Sequence, residues 1–314
     1  MLEAESGSVE RLLGREEEVK RILSYLESPR AYRVLVLVGP IGSGRTTILR
    51  YVLSHVKGYH KFHLDASPAA KPLGLPGVEE YLNCFGDVNA CIDRVVREGM
   101  RIADHRPQEK LLVALDGLVC LRGPYECIVP HIVRGLARFV EAYSDRIRVI
   151  VSIDDQEAVL ELGRIADYID VLVVDGLERS AAEELARREA ARAGVSLDEQ
   201  TVAEIASATG GLPYHIVTVI HEYRGDVHRW ISDMWEKLRW KLVLVAAELG
   251  VSVRDVAKAI LDLVDKPLSA VPRQSYLLLR WALRNNIVYL AKGTMLKLQL
   301  PVYAGILRSI AYGS

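Results

Sequence analysis

No apolar run in these 314 residues reaches the about 18 to 20 needed to cross a membrane. The opening "MLEAESGSVERLLGREEE" is acidic and lacks an apolar centre, so it does not read as a secretory signal. The expectation is a cytoplasmic protein with no membrane partner. Metal-binding spacings are missing as well. The eight histidines form neither H-x-x-x-H nor H-E-x-x-H, and the four cysteines contain no C-x-x-C. Those cysteines fall as two equally spaced pairs, Cys84/Cys91 and Cys120/Cys127. Seven residues is two helical turns, too long for a disulfide within one helix. Buried free thiols are the expectation, with a disulfide between the pairs as an alternative known from hyperthermophile proteins.

Acidic residues vanish towards the C-terminus. Residues 266–314 hold seven Lys or Arg and no Asp or Glu, although the whole chain carries a formal charge of −1. The segment 226–314 has 13 basic against 7 acidic side chains, so the first 225 residues are correspondingly acidic. A basic C-terminal module points to an anionic partner, nucleic acid first. The alternative is a basic segment that docks on the acidic body. With 50% hydrophobic and 26% charged residues, the chain is long enough for two or three globular domains.

Periodicity supplies the architecture. "REEEVKRILSYLES" places Val19, Ile22, Leu23 and Leu26 on one helical face, with acids in its first turn. Buried strands are expected at 33–39, 61–66, 110–117, 146–154 and 169–177, alternating with helices. One of those helices is capped by Asp87, and another, within 125–144, is kinked or broken in two by Pro130. Residues 67–86, rich in proline and glycine, read as an insert or loop. The fold class is therefore α/β, a doubly wound parallel sheet over 1–177. Helices follow over 178–225, beginning with a capping box of Ser180 and Glu183. From 226 to 314, three helical stretches precede two short strands about Ala-Lys-Gly-Thr, which reads as a winged helix-turn-helix. Trp230, Trp235 and Trp240 read as helix-packing aromatics.

The chemistry concentrates in "VLVLVGPIGSGRTTILRYVL", residues 34–53. A buried strand, a glycine-rich loop and a helix follow in the order of a P-loop, whose backbone N–H groups cradle phosphate. Gly39, Gly42, Ser43, Gly44, Arg45, Thr46 and Thr47 are the expected phosphate contacts, for ATP or ADP. Thr46 and Asp116, which ends the strand "LLVALDG", are the expected Mg²⁺ ligands. Two positions depart from that pattern: Arg45 stands where lysine is usual, and Gly117 follows Asp116 where a water-activating glutamate is common. An arginine can hold ground-state phosphates yet fit the transition state poorly, so binding should outlast turnover. Asp154 and Asp155 read as caps for a helix starting at Gln156.

With these motifs in order, the chain resembles P-loop ATPases of archaea at the border of the AAA+ and STAND groups, and more distantly origin-recognition-type initiators. "LLGREEEVKRIL" looks like the N-terminal box that borders adenine, which implies roles for Gly14 and Arg15. The resemblance also implies that Ser152 is a sensor residue, and that Arg164 serves a neighbouring subunit's site. In "ATGGLPYHI", Pro213 is implied to touch nucleotide from a helical lid, and the sequence Gly-Leu-Pro-Tyr there favours the STAND-like branch. The resemblance covers 12–225 and extends more loosely to the winged module.

Within that module Arg273, Gln274, Arg280 and Arg284 would stud a recognition helix, with Lys292 and Lys297 on or near the wing, as DNA contacts. The preferred expectation is a nucleotide-dependent switch with slow hydrolysis: an α/β core over 1–177, a lid over 178–225 and a DNA-binding module over 226–314. The rivals are an active homo-oligomer using Arg164 in trans, and a scaffold with a vestigial loop whose winged module binds protein.

Overall fold

The computed structural model describes residues 12–28, 33–66, 80–84, 88–105, 110–120, 127, 129–143 and 146–313. The amphipathic segment forms α1 (Glu16–Glu27), with three glutamates in its first turn and Ile22, Tyr25 and Leu26 buried. All five residues of β1 (Val34–Val38) are buried, as its unbroken aliphatic run requires. Then come α2 (Arg45–His55), β2 (Tyr59–Asp65), β3 (Glu80–Asn83), α3 (Val88–His105), β4 (Lys110–Leu118), α4 (Val129–Ala142), β5 (Ile147–Ile153), α5 (Gln156–Glu161) and β6 (Ile169–Val173). The strands form one parallel sheet in the order β3-β2-β4-β5-β1-β6. This is the α/β P-loop sheet expected. Aliphatic residues cover both faces, Leu49 and Leu53 of α2 on one and Val133 and Leu136 of α4 on the other.

Three local expectations are corrected. Residues 80–83 within the supposed loop form β3, paired in parallel with β2. Pro130 does not break a helix, because α4 begins at Val129 and proline is tolerated in a first turn. The cysteines are not free: Cys84 bonds to Cys91 and Cys120 to Cys127, with Cα atoms 5.8 and 5.0 Å apart. Helical spacing did not apply, since Cys84 follows β3, Cys120 follows β4 and Cys127 precedes α4, leaving only Cys91 in a helix. Asp87 and all of 67–79 lie outside the described residues. Each bridge closes a short loop, worth roughly 2–3 kcal/mol on a chain-entropy view. Reduction and alkylation should therefore lower the melting temperature by several degrees, and equal melts with and without reductant would contradict this.

After Val173 the helices α6 (Arg179–Ala193), α7 (Glu199–Thr209), α8 (Pro213–His221), α9 (Val227–Leu249), α10 (Val253–Leu263) and α11 (Tyr276–Arg284) follow. The antiparallel pair β7 (Val288–Leu290) and β8 (Leu296–Leu298) and a final α12 (Val302–Tyr312) complete the chain. Ser180 is not a cap: α6 starts at Arg179, and Glu183 instead ion-pairs with Arg179 at 2.8 Å. The helix α12 has no counterpart in the sequence reading, although Tyr303, Ile306, Leu307 and Ala311 give it a buried face. One hydrophobic core runs from Leu177 to Ala311, across position 225. The 23-residue α9 joins its two ends, with Trp230, Leu238 and Leu242 fully buried. Trp235 is half-buried and Trp240 is 65% exposed, so only the first of the three tryptophans is a core residue.

Candidate nucleotide site

The loop between β1 and α2 lies at the carboxyl edge of the parallel sheet, where α/β proteins place ligands. Gly42 has φ +83°, and a Cβ there would sit 2.7 Å from Cβ of Tyr214. The loop thus needs glycine, both for its backbone and for the close approach of α8. That approach is sealed by a hydrogen bond from the Tyr214 N–H to the Gly42 carbonyl, 3.2 Å. Pro213 opens α8 and, together with Gly44 and Thr47, borders two adjoining cavities. One, of about 680 Å³, lies between Leu12 and Leu13, the start of α2, and Leu177 and Leu185. The other, of about 420 Å³, is bordered by Gly42, Thr46, Asp154 and Tyr214.

Arg15 is buried and grips the loop from behind, donating to the carbonyls of Ser43 (2.6 Å) and Asp175 (2.7 Å) while pairing with Glu18. Its burial lowers the guanidinium pKa against the opposing pull of Glu18. Gly14 precedes it in tight contact with α6, where an added Cβ would meet Ala181 at 2.6 Å. The box residues therefore shape the larger cavity, with Arg15 supporting loop backbone.

Arg45 is 5% exposed and turned into its own loop. Its guanidinium donates to the carbonyls of Gly39 and Pro40, to Ser43 Oγ and, at 2.7 Å, to Asp154. The reading of Asp154 as a helix cap is corrected here. Asp155 alone caps α5, accepting from Glu157 and Ala158 N–H groups, while Asp154 is the counter-charge of Arg45. Thr46 Oγ1 donates to Asp116 Oδ1 at 3.2 Å, so hydroxyl and carboxylate stand together as an Mg²⁺ site requires. Burial would push the Asp116 carboxyl up, but His63, Ser152 and Thr46 hold it below the usual carboxylate range. It stays ionised, as a metal ligand must. Ser152 is fully buried on β5, opposite Leu37 of β1. Gly117 has φ +75° at a register irregularity in β4, so a glutamate at that position would be strained as well as absent.

Other expected residues lie elsewhere. Arg164 borders neither of these cavities; it sits between α5 and β6, paired with Glu161 at 3.1 Å. Arg273 and Gln274 fall on a short 3₁₀ turn, Arg273–Ser275, before α11, and not on the helix itself. Both are exposed, as are Lys292 and Lys297. Arg280 and Arg284 are not free for phosphate. They share a face of α11 four residues apart, and that face meets α5, where both bind the buried carboxylate of Glu157 at 2.7–3.0 Å.

Several site residues carried no sequence signal. Gln156, fully buried, donates to the Gly39 carbonyl at 2.6 Å and accepts from the N–H of Leu290 in β7 at 3.4 Å. Gln299 donates to the Ile41 carbonyl at 2.8 Å, and the Tyr289 hydroxyl to Asp175 at 2.8 Å. These pairs are up to 258 residues apart in sequence, beyond any periodicity or motif.

The family model of the AAA ATPase domain matches residues 11–192. Among solved structures, the Walker-type ATPase PABY2304 of Pyrococcus abyssi shares the fold. The two are 18% identical with a TM-score of 0.58, over 95% of this chain and 96% of that one. A RuvB mutant of Thermotoga maritima is 14% identical with a TM-score of 0.41, over 94% and 95%. Domain III of the replication initiation protein DnaA from the same organism is 13% identical with a TM-score of 0.41, over 76% and 88%. No curated protein matches the chain.

Proposed function

The chain belongs to the AAA ATPase domain family, and on that footing we propose that it is a nucleotide-dependent switch with slow hydrolysis and a DNA-binding C-terminal module. The family implies nucleotide binding, usually with Mg²⁺. Base and ribose would occupy the cavity beside Leu12, Leu13 and Pro213, and phosphates the adjoining one over Gly42 and Thr46. Thr46 and Asp116 would hold the ion, which when bound neutralises phosphate charge. The backbone amides of the loop and the start of α2 would orient the phosphates. The functional units are the α/β core over 1–177, the lid over 178–225 and a winged-helix module over 226–314.

One observation carries the switch: the phosphate loop is touched directly by both of the other units. Tyr214 of the lid bonds Gly42, and Gln299 of the C-terminal module bonds Ile41. A change in the loop's backbone would be passed to both contacts. The commitment of Arg45 to Asp154 and the backbone at Gly117 favour holding nucleotide over cleaving it. For DNA, the exposed Arg273, Gln274, Lys292 and Lys297 are the available contacts, and Arg280 and Arg284 would join them only after leaving Glu157.

The test is ATP and ADP binding by calorimetry together with single-turnover hydrolysis in Mg²⁺, on the natural chain and on Arg45→Lys. Expected are micromolar binding, negligible turnover by the natural chain and about tenfold faster turnover by the lysine variant. Absence of binding to either form would leave the scaffold reading. A second reading, the active oligomer, draws on Arg164, whose side chain is 63% exposed and so open to a neighbouring subunit. It requires turnover that rises with protein concentration.

A further inference from the structure

We infer that Asp154 makes the site selective for nucleoside diphosphate over triphosphate, by neutralising the one side-chain cation that a γ-phosphate would need. The inference rests on the nucleotide reading of the loop and adds a preference within it. A P-loop divides its work between two kinds of donor. Backbone N–H groups and the helix N-terminus hold the inner phosphates, whereas the basic side chain before the hydroxyl residue reaches the β- and γ-phosphates.

Here the backbone half is intact. The loop enters from a fully buried strand, α2 starts at Arg45 with Gly44 as its N-terminal neighbour, and Arg15 fixes the Ser43 carbonyl. The side-chain half is already engaged. Its Nη1 and Nη2 donate to two loop carbonyls, to Ser43 Oγ and to the Asp154 carboxylate. A guanidinium is a planar fork with fixed donor directions, so its two Nη groups cannot keep these partners and also turn towards an added phosphate, and its Nε, though unpartnered, is buried.

Asp154 adds a repulsive element. Its carboxylate is 37% exposed, and it borders the same cavity as Gly42, Thr46 and Tyr214. It is held there by β5 and by the hydrogen bond from its own N–H to the Leu118 carbonyl at 3.0 Å. A triphosphate must either break the Arg45–Asp154 pair, leaving a carboxylate beside the added charge, or accept the pair and gain no cation. A diphosphate, held by the backbone, forgoes the cation at its β-phosphate alone and brings no γ-charge to the carboxylate, so its penalty is the smaller. Selectivity of this kind is a difference of two affinities achieved by disfavouring one ligand. The same pairing occupies the Asp154 carboxylate, which makes it a poor stand-in for the base missing at Gly117.

The test compares MgADP with the Mg²⁺ complex of ATP's β,γ-imido analogue, by calorimetry, on the natural chain, Asp154→Asn and Asp154→Glu. The natural chain should bind ADP about tenfold or more tightly than the triphosphate. Asp154→Asn should narrow that ratio at least fivefold, chiefly by tightening the triphosphate, and Asp154→Glu should keep it. Because Arg45 is 5% exposed and loses its counter-charge, the asparagine variant should melt somewhat below the parent while remaining folded at the titration temperature, which a thermal scan verifies. Equal ratios in parent and asparagine variant, or equal weakening of both ligands, would overturn the selectivity while leaving nucleotide binding in place. Failure of the natural chain to bind either ligand would instead overturn the nucleotide reading, and this inference with it.

Discussion

Reversing the charge at Glu157 should lower the melting temperature by about 4–16 °C and expose the junction between α5 and α11 to protease. Glu157 is 4% exposed and lies between two guanidiniums, accepting from Arg280 Nε at 2.9 Å and from Arg284 Nε at 2.7 Å. Glu161 adds a second anion, 3.3 Å from Arg280. Glu157→Arg would set a third cation against the first two. Breaking a buried pair costs about 3–5 kcal/mol. Arg280 and Arg284 are 45% and 50% exposed, so a discounted loss of about 2–4 kcal/mol is more appropriate. At roughly 2–4 °C per kcal/mol for a chain of this order, the expected shift follows. Differential scanning calorimetry and timed trypsin digestion measure it, and an unchanged melt would show that the junction is held by apolar contacts alone.

The same variant speaks to DNA. Releasing Arg280 and Arg284 should strengthen binding to duplex DNA and steepen its dependence on salt, because more phosphates are neutralised. Acid should act in the same direction as the mutation. Burial raises the Glu157 pKa, but the hydrogen bonds from Arg284 and Arg280 outweigh it and hold the carboxyl below its ordinary value. The contribution of a depressed carboxyl is fully present above the unfolded-state value of about 4.3 and is lost as pH falls through the lower folded-state value. The junction should therefore be insensitive to pH near neutrality and loosen in acid below about pH 4.

Gly42→Val should weaken MgADP binding by more than about 100-fold while leaving the fold intact. A branched side chain at φ +83° is strained, and its Cβ would stand 2.7 Å from Cβ of Tyr214, an atom fixed to the helix backbone. Either the loop or α8 must move. In the first case the N–H groups that would face phosphate lose their alignment; in the second α8 lifts from the cavity. Calorimetric titration reads the affinity and circular dichroism the fold. An ADP affinity within threefold of the parent would mean that the nucleotide does not depend on this contact. Gly42→Ala should act in the same direction with a smaller effect.

Local order was legible where one short segment carries its own pattern. The runs "VLVLV" and "KLLVALDG" became β1 and β4 because unbroken aliphatic strands bury both faces of a parallel sheet. The glycine loop could be placed because strand, loop and helix are contiguous. The basic C-terminus was also visible in composition, together with its two readings, an external anion or an acidic body. Arg280 and Arg284 took the second, since α11 packs on α5 and a carboxylate was waiting on that face. Cysteine spacing misled because it assumed helix on both sides, whereas three of the four residues lie outside one.

By itself, then, the sequence determined the parallel sheet, the position and order of the phosphate loop, and the helical character of the second half. Hydrophobic periodicity and turn chemistry act over a few neighbouring residues, so they can be read without knowing where the chain goes next. Only the tertiary structure decided that Arg45 faces Asp154, that Gln156 joins Gly39 to β7, and that Gln299 reaches Ile41. Each of these depends on a buried polar group finding a partner brought close by packing, and the energy that selects the partner is nearly independent of separation along the chain.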